Sequence, residues 1–220
     1  MQIEVRKLKK YIDIYNIFRI LMSQDNFKEN KISFLDSSLK NKYGKYSIIG
    51  INSYLELKEK DNKFYINDKL SDENFEEYLD GFLKENKREN KYNLPLISGG
   101  IAYFSYDYGR KFENIKTKHK KDIDIPEAVI RFYKTYIIED IEKQEIYISY
   151  QDKKDYDNLI NILENTKIEK ENLIKNNDET IKNNCEKLSG KKNFKDFTHI
   201  SFTIRLHKTG RSAFKNTRFS

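Results

Sequence analysis

Asp107, Arg110 and Glu113 recur at intervals of three, directly after the glycine-led aromatic run Ser98 to Ser105. The Arg110 guanidinium could clamp a phosphate or a carboxylate, with Asp107 and Glu113 as acids on either side of it. No nucleophile and base can be assembled around them, because His119, the nearest histidine, stands in the basic loop Lys116 to Lys121. Charged residues at such spacing pair along one face of a turn, so the three read as a structural ionic turn and no catalytic residue is assigned. The second candidate is Asp36-Ser37-Ser38, after the apolar run Ile32 to Leu35. Its carboxylate and hydroxyls suit ordinary turn chemistry, and a small-ligand pocket there needs further support. Gly99-Gly100 is a poor phosphate cradle, since strand-type residues follow it where a helix N-terminus would be required. A bulge or a close backbone approach explains the pair better. Cys185 is the single cysteine, and His119, His199 and His207 show no metal-ligand spacing. A metal or thiol enzyme built on them is not expected.

These candidates must be held by elements that alternate between two periods. Gln2 to Leu8 reads as a strand, and Tyr11, Ile14, Tyr15, Phe18 and Leu21 then recur at helical spacing. Strands are predicted at 32–35, 46–51, 55–59 and 64–66, with Asp61-Asn62 turning a hairpin. Ser71 is the expected N-cap of a helix carrying Phe75, Tyr78, Leu79 and Phe82 on one face. Pro95 and Pro126 stand just before two further strands, the second at 128–138, where a missing N–H is tolerated. A turn at 139–143, a strand at 145–150 and a helix marked by Tyr156, Leu159, Ile160 and Leu163 follow. Hairpins interrupted by helices predict an α+β domain, an antiparallel, sandwich-like sheet with flanking helices.

The net charge of +7 is confined to one place. Residues 191 to 220 hold eight Lys or Arg against one acid, while residues 1 to 190 balance 34 bases with 34 acids. A nucleic-acid surface on the body is therefore not expected. No apolar run approaches the ~20 residues of a membrane helix, and no signal-type start is visible, so a cytoplasmic protein is expected.

Four motifs in order carry a resemblance: F-L-D-S-S (34–38), Y-G-K-Y-S-I-I-G (43–50), G-G-I-A-Y-F-S-Y-D-Y-G-R-K-F-E (99–113) and I-P-E-A-V (125–129). Together they resemble the N-terminal region of the chorismate-utilising component I enzymes, anthranilate synthase and aminodeoxychorismate (para-aminobenzoate) synthase. The run Tyr106-Asp107-Tyr108-Gly109-Arg110 is more similar to the aminodeoxychorismate branch, since the other commonly has a branched aliphatic at the position of Gly109. The resemblance implies a tryptophan-type pocket formed by Ser37, Tyr43, Gly44, Lys45 and Tyr46, with the hydroxyl for an ammonium or carboxylate and the rings for an indole. Asp36 departs from the usual Glu of the anthranilate branch, and Ser98 and Ala102 stand where glycines are common.

The resemblance further implies that chorismate and Mg²⁺ are handled by a C-terminal domain and that a glutamine amidotransferase component II supplies ammonia. Neither the lysine-containing P-I-A-G-T-like segment nor the magnesium carboxylates of that domain occur here, so this half of a two-part fold is expected to be inactive alone and to expose apolar surface. Residues 1–166 are expected to form the component I N-terminal domain and 167–192 a charged helix or linker. The basic tail 193–220 is expected to be foreign to the family, through a frameshift or premature end. A stand-alone small-ligand module is the reading of a different class.

Overall fold

The computed structural model describes residues 2–28, 31–37, 44–113 and 124–166. The expected linker 167–192 and tail 193–220 lie outside the described residues. Strands β1 (Glu4–Lys7), β2 (Ser33–Leu35), β3 (Tyr46–Lys60), β4 (Lys63–Ile66), β5 (Lys69–Ser71), β6 (Gly100–Phe104), β7 (Ala128–Asp140) and β8 (Glu145–Tyr150) form one antiparallel sheet. Helices α1 (Ile14–Ser23), α2 (Asp25–Lys28), α3 (Phe75–Glu85), α4 (Tyr106–Glu113) and α5 (Lys153–Asn165) flank it. The order along the sheet is β1-β8-β7-β3-β4-β5, with β2 on β3 and β6 on β7. The expected α+β class holds.

The long pair β3 and β7 is the spine. Along β7, residues 130, 132, 136 and 138 share one face by strand alternation. The residues opposite them are Leu57, Leu55, Gly50 and Ile48, two odd and two even, so β3 must gain a residue between the two pairs. It does so at a bulge between Ser53 and Leu55, next to Asn52 at φ 57°. What reads in sequence as two strands, 46–51 and 55–59, is thus one 15-residue strand that keeps its apolar side on the core.

Three apolar clusters result. Ile14, Ile17 and Leu21 of α1 and Leu159 and Leu163 of α5 pack on Ile49, Ile51, Ile137 and Ile148. Asp13 caps α1 by accepting from the Tyr15 and Asn16 amides. A second cluster sets Phe75 and Leu79 of α3 and Tyr108 of α4 against Leu55, Leu57, Ile130 and Phe132. A third gathers Leu94, Ile97 and Ile101 over Ile48, Tyr136 and Ile138. Truncating a fully buried member such as Ile17 to Ala would cost about 2–5 kcal/mol.

Local chemistry corrects three expectations. Ser71 ends β5 and its hydroxyl accepts from the Glu73 amide, while Asn74 is the α3 N-cap, accepting from the Glu77 amide. Glu139 and Asp140, expected in a turn, are buried strand residues of β7. A second tight hairpin, unforeseen, turns at Asn67-Asp68, both at positive φ like Asp61-Asn62.

Candidate functional site

The exit of β2 meets the entry of β3 at a polar corner. Ser37 donates its hydroxyl to the Tyr46 carbonyl at 2.7 Å, and its amide donates to Ser47 Oγ at 3.1 Å. Ser47 is buried and its hydroxyl reaches Asp36 at 3.5 Å. Lys45 extends the corner through its carbonyl, which accepts from the Ile141 amide at 3.0 Å. The structure therefore brings Ser37, Gly44, Lys45 and Tyr46 to one end of the sheet, whereas Tyr43 lies outside the described residues. The Ser37 hydroxyl spends its one proton on Tyr46 and retains acceptor capacity, and Asp36 beside it is exposed. Such a corner can receive a cationic donor such as an ammonium.

Behind the corner stands Glu139, opposite Ser47 across the β3–β7 ladder. It is 5% exposed and accepts from the Tyr11 hydroxyl at 2.6 Å. Burial pushes its carboxyl above the ordinary range, and the charges of Asp13 and Asp36 push in the same direction against the bonds from Tyr11 and Ile14.

The other candidate, Asp107, Arg110 and Glu113, lies along α4, a helix where a turn was expected. Ser105 starts it by accepting from the Tyr108 amide at 3.2 Å. Arg110 stands 5.6 Å from the Tyr106 ring centroid, and the side chains of Asp107 and Glu113 are outside the described set. Among the described residues, Lys111, which spacing did not reveal, supplies ion pairs that fasten this helix. Its ammonium bonds both oxygens of buried Glu59 at 2.9 and 3.0 Å and Glu76 of α3 at 2.8 Å. Tyr108 donates to the same Glu76 at 3.1 Å. Burial pushes the Glu76 carboxyl up, but the bond and charge of Lys111 together with a backbone amide bond and the Tyr108 bond hold it below its ordinary value. The partners of Lys111 are 52 and 35 residues away, so no local motif could have announced them.

The glycine pair has the expected steric reason. A Cβ on Gly100 would lie 2.7 Å from Ile130 Cγ2, and Gly99 sits at φ 134°. Gly99 also offers its carbonyl to the buried Tyr136 hydroxyl. The 99–113 motif is therefore a scaffold strand and a fastened helix. Among the described residues, no group of three or more His, Cys, Asp or Glu is placed to hold a metal ion. No helix among the described residues is long and apolar enough to cross a membrane.

Fold and corner together define an antiparallel α+β domain with a polar corner at one sheet end, set apart from the charge cluster around Lys111. Sequence comparison is more particular. The chain is 32% identical over 130 residues to anthranilate synthase component 1 of Acetivibrio thermocellus, covering 56% of this chain and 26% of that protein. It is 33% identical over 61 residues to aminodeoxychorismate synthase component 1 of Klebsiella aerogenes, covering 27% of this chain and 14% of that protein. A crystal structure of anthranilate synthase component I from Streptococcus pneumoniae aligns at a TM-score of 0.47 with 22% identity, over 57% of this chain and 30% of that one. No protein-family model matches the chain. The resemblance to the chorismate-utilising component I family is thus borne out in sequence over part of the chain. The matched region spans about a quarter or less of the length of these relatives.

Proposed function

We propose that this chain is the N-terminal, ligand-holding and non-catalytic part of a component I enzyme, and that its pocket for a tryptophan-like amino acid lies at the Ser37–Tyr46 corner. The observation that supports this most is the convergence of Ser37 with Tyr46 and Ser47 at the end of a sheet built from the motif-bearing strands. In the whole enzyme the reaction would be replacement of the chorismate 4-hydroxyl by ammonia from a glutamine amidotransferase component II, giving aminodeoxychorismate. In this reading Mg²⁺ belongs to the domain that binds chorismate. The anthranilate branch is the second reading, favoured by its longer match, 130 residues against 61. Gly109 is the feature that favours the aminodeoxychorismate branch, and a Cβ there meets nothing within 4 Å.

Isothermal titration of the purified chain with tryptophan tests the pocket. Binding that weakens about tenfold or more in Ser37→Ala supports it, on the ~1.4 kcal/mol that a charge-assisted hydrogen bond supplies. Absence of binding, or unchanged binding in the variant, overturns it. Conversion of chorismate by this chain with ammonia and Mg²⁺ would overturn the non-catalytic reading.

A further inference from the structure

Between α3 and β6 the chain forms no helix or strand, and residues 94–99 lie against β7 and β8. Leu94 and Ile97 are buried there, in one cluster with Ile48, Tyr136 and Ile138. Among the described residues, no backbone-to-backbone bond holds 93–98. Side chains do the fastening instead. The buried Ser149 hydroxyl donates to the Ile97 carbonyl at 2.6 Å, the Tyr136 hydroxyl donates to the Gly99 carbonyl, and the Asn90 side-chain amide donates to the Leu94 carbonyl at 2.6 Å. Ser149 and Tyr136 stand opposite each other on β8 and β7, so their hydroxyls form a matched pair for the carbonyls of Ile97 and Gly99. Both ends of the segment can turn, at Asn93 with φ 52° and at Gly99 with φ 134°, residue types that visit positive φ most readily.

The same cluster reaches the ligand corner. By strand alternation Tyr46 and Ile48 face one side of β3, and Leu35 stands opposite Ile48 on β2. Leu35 and Tyr46 both pack against the cluster that Leu94 and Ile97 complete. Tyr46 also accepts the Ser37 hydroxyl through its carbonyl. We propose that residues 94–99 are a hinged strap, fastened by the Ser149 and Tyr136 hydroxyls, that holds the Ser37–Tyr46 corner in shape when it is down and releases it when it lifts. A segment held by side-chain bonds and two apolar anchors opens locally more easily than the strands beneath it, because no ladder bond has to break. On lifting, the two hydroxyls and the freed carbonyls exchange one another for water, while Leu35 and Tyr46 lose their cover. Control of a ligand by the strap rests on the pocket proposed above, whereas the strap itself is read with no ligand present.

Chymotrypsin cleaves after leucine, and the Leu96–Ile97 bond becomes reachable only when the strap lifts. Initial cleavage there on the full chain, read by mass spectrometry, therefore reports the open population. Ser149→Ala removes one fastening and should speed this cleavage about fivefold, the equivalent of one net hydrogen bond. Amide hydrogen exchange at Ser37 should accelerate by a similar factor, while exchange at Ile137, fully buried in β7, stays unchanged. Asn90→Ala, at an exposed residue, removes the bond to Leu94 and should act in the same direction, which keeps the test in place if Ser149→Ala disturbs the sheet. Cleavage after Leu96 that neither variant accelerates, or accelerated cleavage with Ser37 exchange unchanged, overturns the proposal. A chain that shows the coupled response and binds no tryptophan refutes the pocket and supports the strap.

Discussion

Gly50 is the position where one added carbon should do most damage. It lies in the middle of β3 between β2 and β7, opposite Ser33 and Tyr136. A Cβ there would stand 2.6, 2.8 and 2.8 Å from three atoms of the Tyr133 ring, where ~3.5–4.0 Å is the comfortable separation. The ring cannot swing away. Tyr133 is 1% exposed, its hydroxyl is 2.5 Å from Ser33 Oγ, and it packs edge-on to Tyr136 with centroids 5.8 Å apart. Making room therefore means moving the ring about 1 Å, stretching the Ser33 bond and disturbing the aromatic pair. Overpacking of this kind costs ~1–3 kcal/mol, and loss of a buried hydroxyl pairing adds ~1 kcal/mol, so Gly50→Ala should lose about 2–4 kcal/mol. Urea unfolding followed by circular dichroism should show a lower midpoint at unchanged slope. Adding Tyr133→Leu removes the obstacle, and the double mutant should be more stable than the sum of the single losses by about 1–2 kcal/mol. A Gly50→Ala variant within ~0.5 kcal/mol of the wild type, or strict additivity in the cycle, would refute the steric reasoning.

Other expectations rest on equally specific contacts. Lys111→Met should cost about 1–3 kcal/mol by leaving buried Glu59 without a cation, less than a fully buried pair because the Lys111 side chain is 40% exposed, and exchange should rise first in α4. Thr135 Oγ1 is buried and without a hydrogen-bond partner among the described residues, so Thr135→Val should raise stability by ~1 kcal/mol in the same urea assay. Gly109→Ala should stabilise α4 by about 0.5–1 kcal/mol, since the site is open and helical, and a loss would show that the glycine is needed for contact with another part of the protein. Asp68 is held down to about 2 by bonds from Lys31 and Lys58, a contribution complete above its ordinary 3.8 and lost as pH falls towards 2. Asp68→Asn should flatten stability against pH over that window.

The helices were legible where apolar residues repeat at 3.6, as in Leu159 and Leu163, and in α1 at Ile14 and Leu21, although Tyr11 and Tyr15 of the predicted stripe are exposed and Ile17, outside it, is fully buried. The hairpin at Asp61-Asn62 was legible because its residue types tolerate positive φ. Asn52-Ser53-Tyr54 misled for the same reason: a bulge within a long strand uses the vocabulary of a turn. Charge misled at the end of β7. Glu139 and Asp140 look like turn residues but are buried, one on Tyr11 and the other on Lys143. Asp107, Arg110 and Glu113 drew attention by spacing, yet the bonds from Lys111 and Tyr108 to Glu59 and Glu76 join residues far apart in sequence. For the ligand corner, spacing could show only that Ser37 follows a strand. Its meeting with Tyr46 and Ser47 depends on β2 pairing with β3.

Amide chemical-shift mapping of the chain during tryptophan titration tests the ligand corner most directly. The account predicts saturable shifts centred on Asp36, Ser37 and Gly44 to Ser47, with little change in α4. Saturable shifts centred on another surface, or no shifts at millimolar tryptophan, would contradict it.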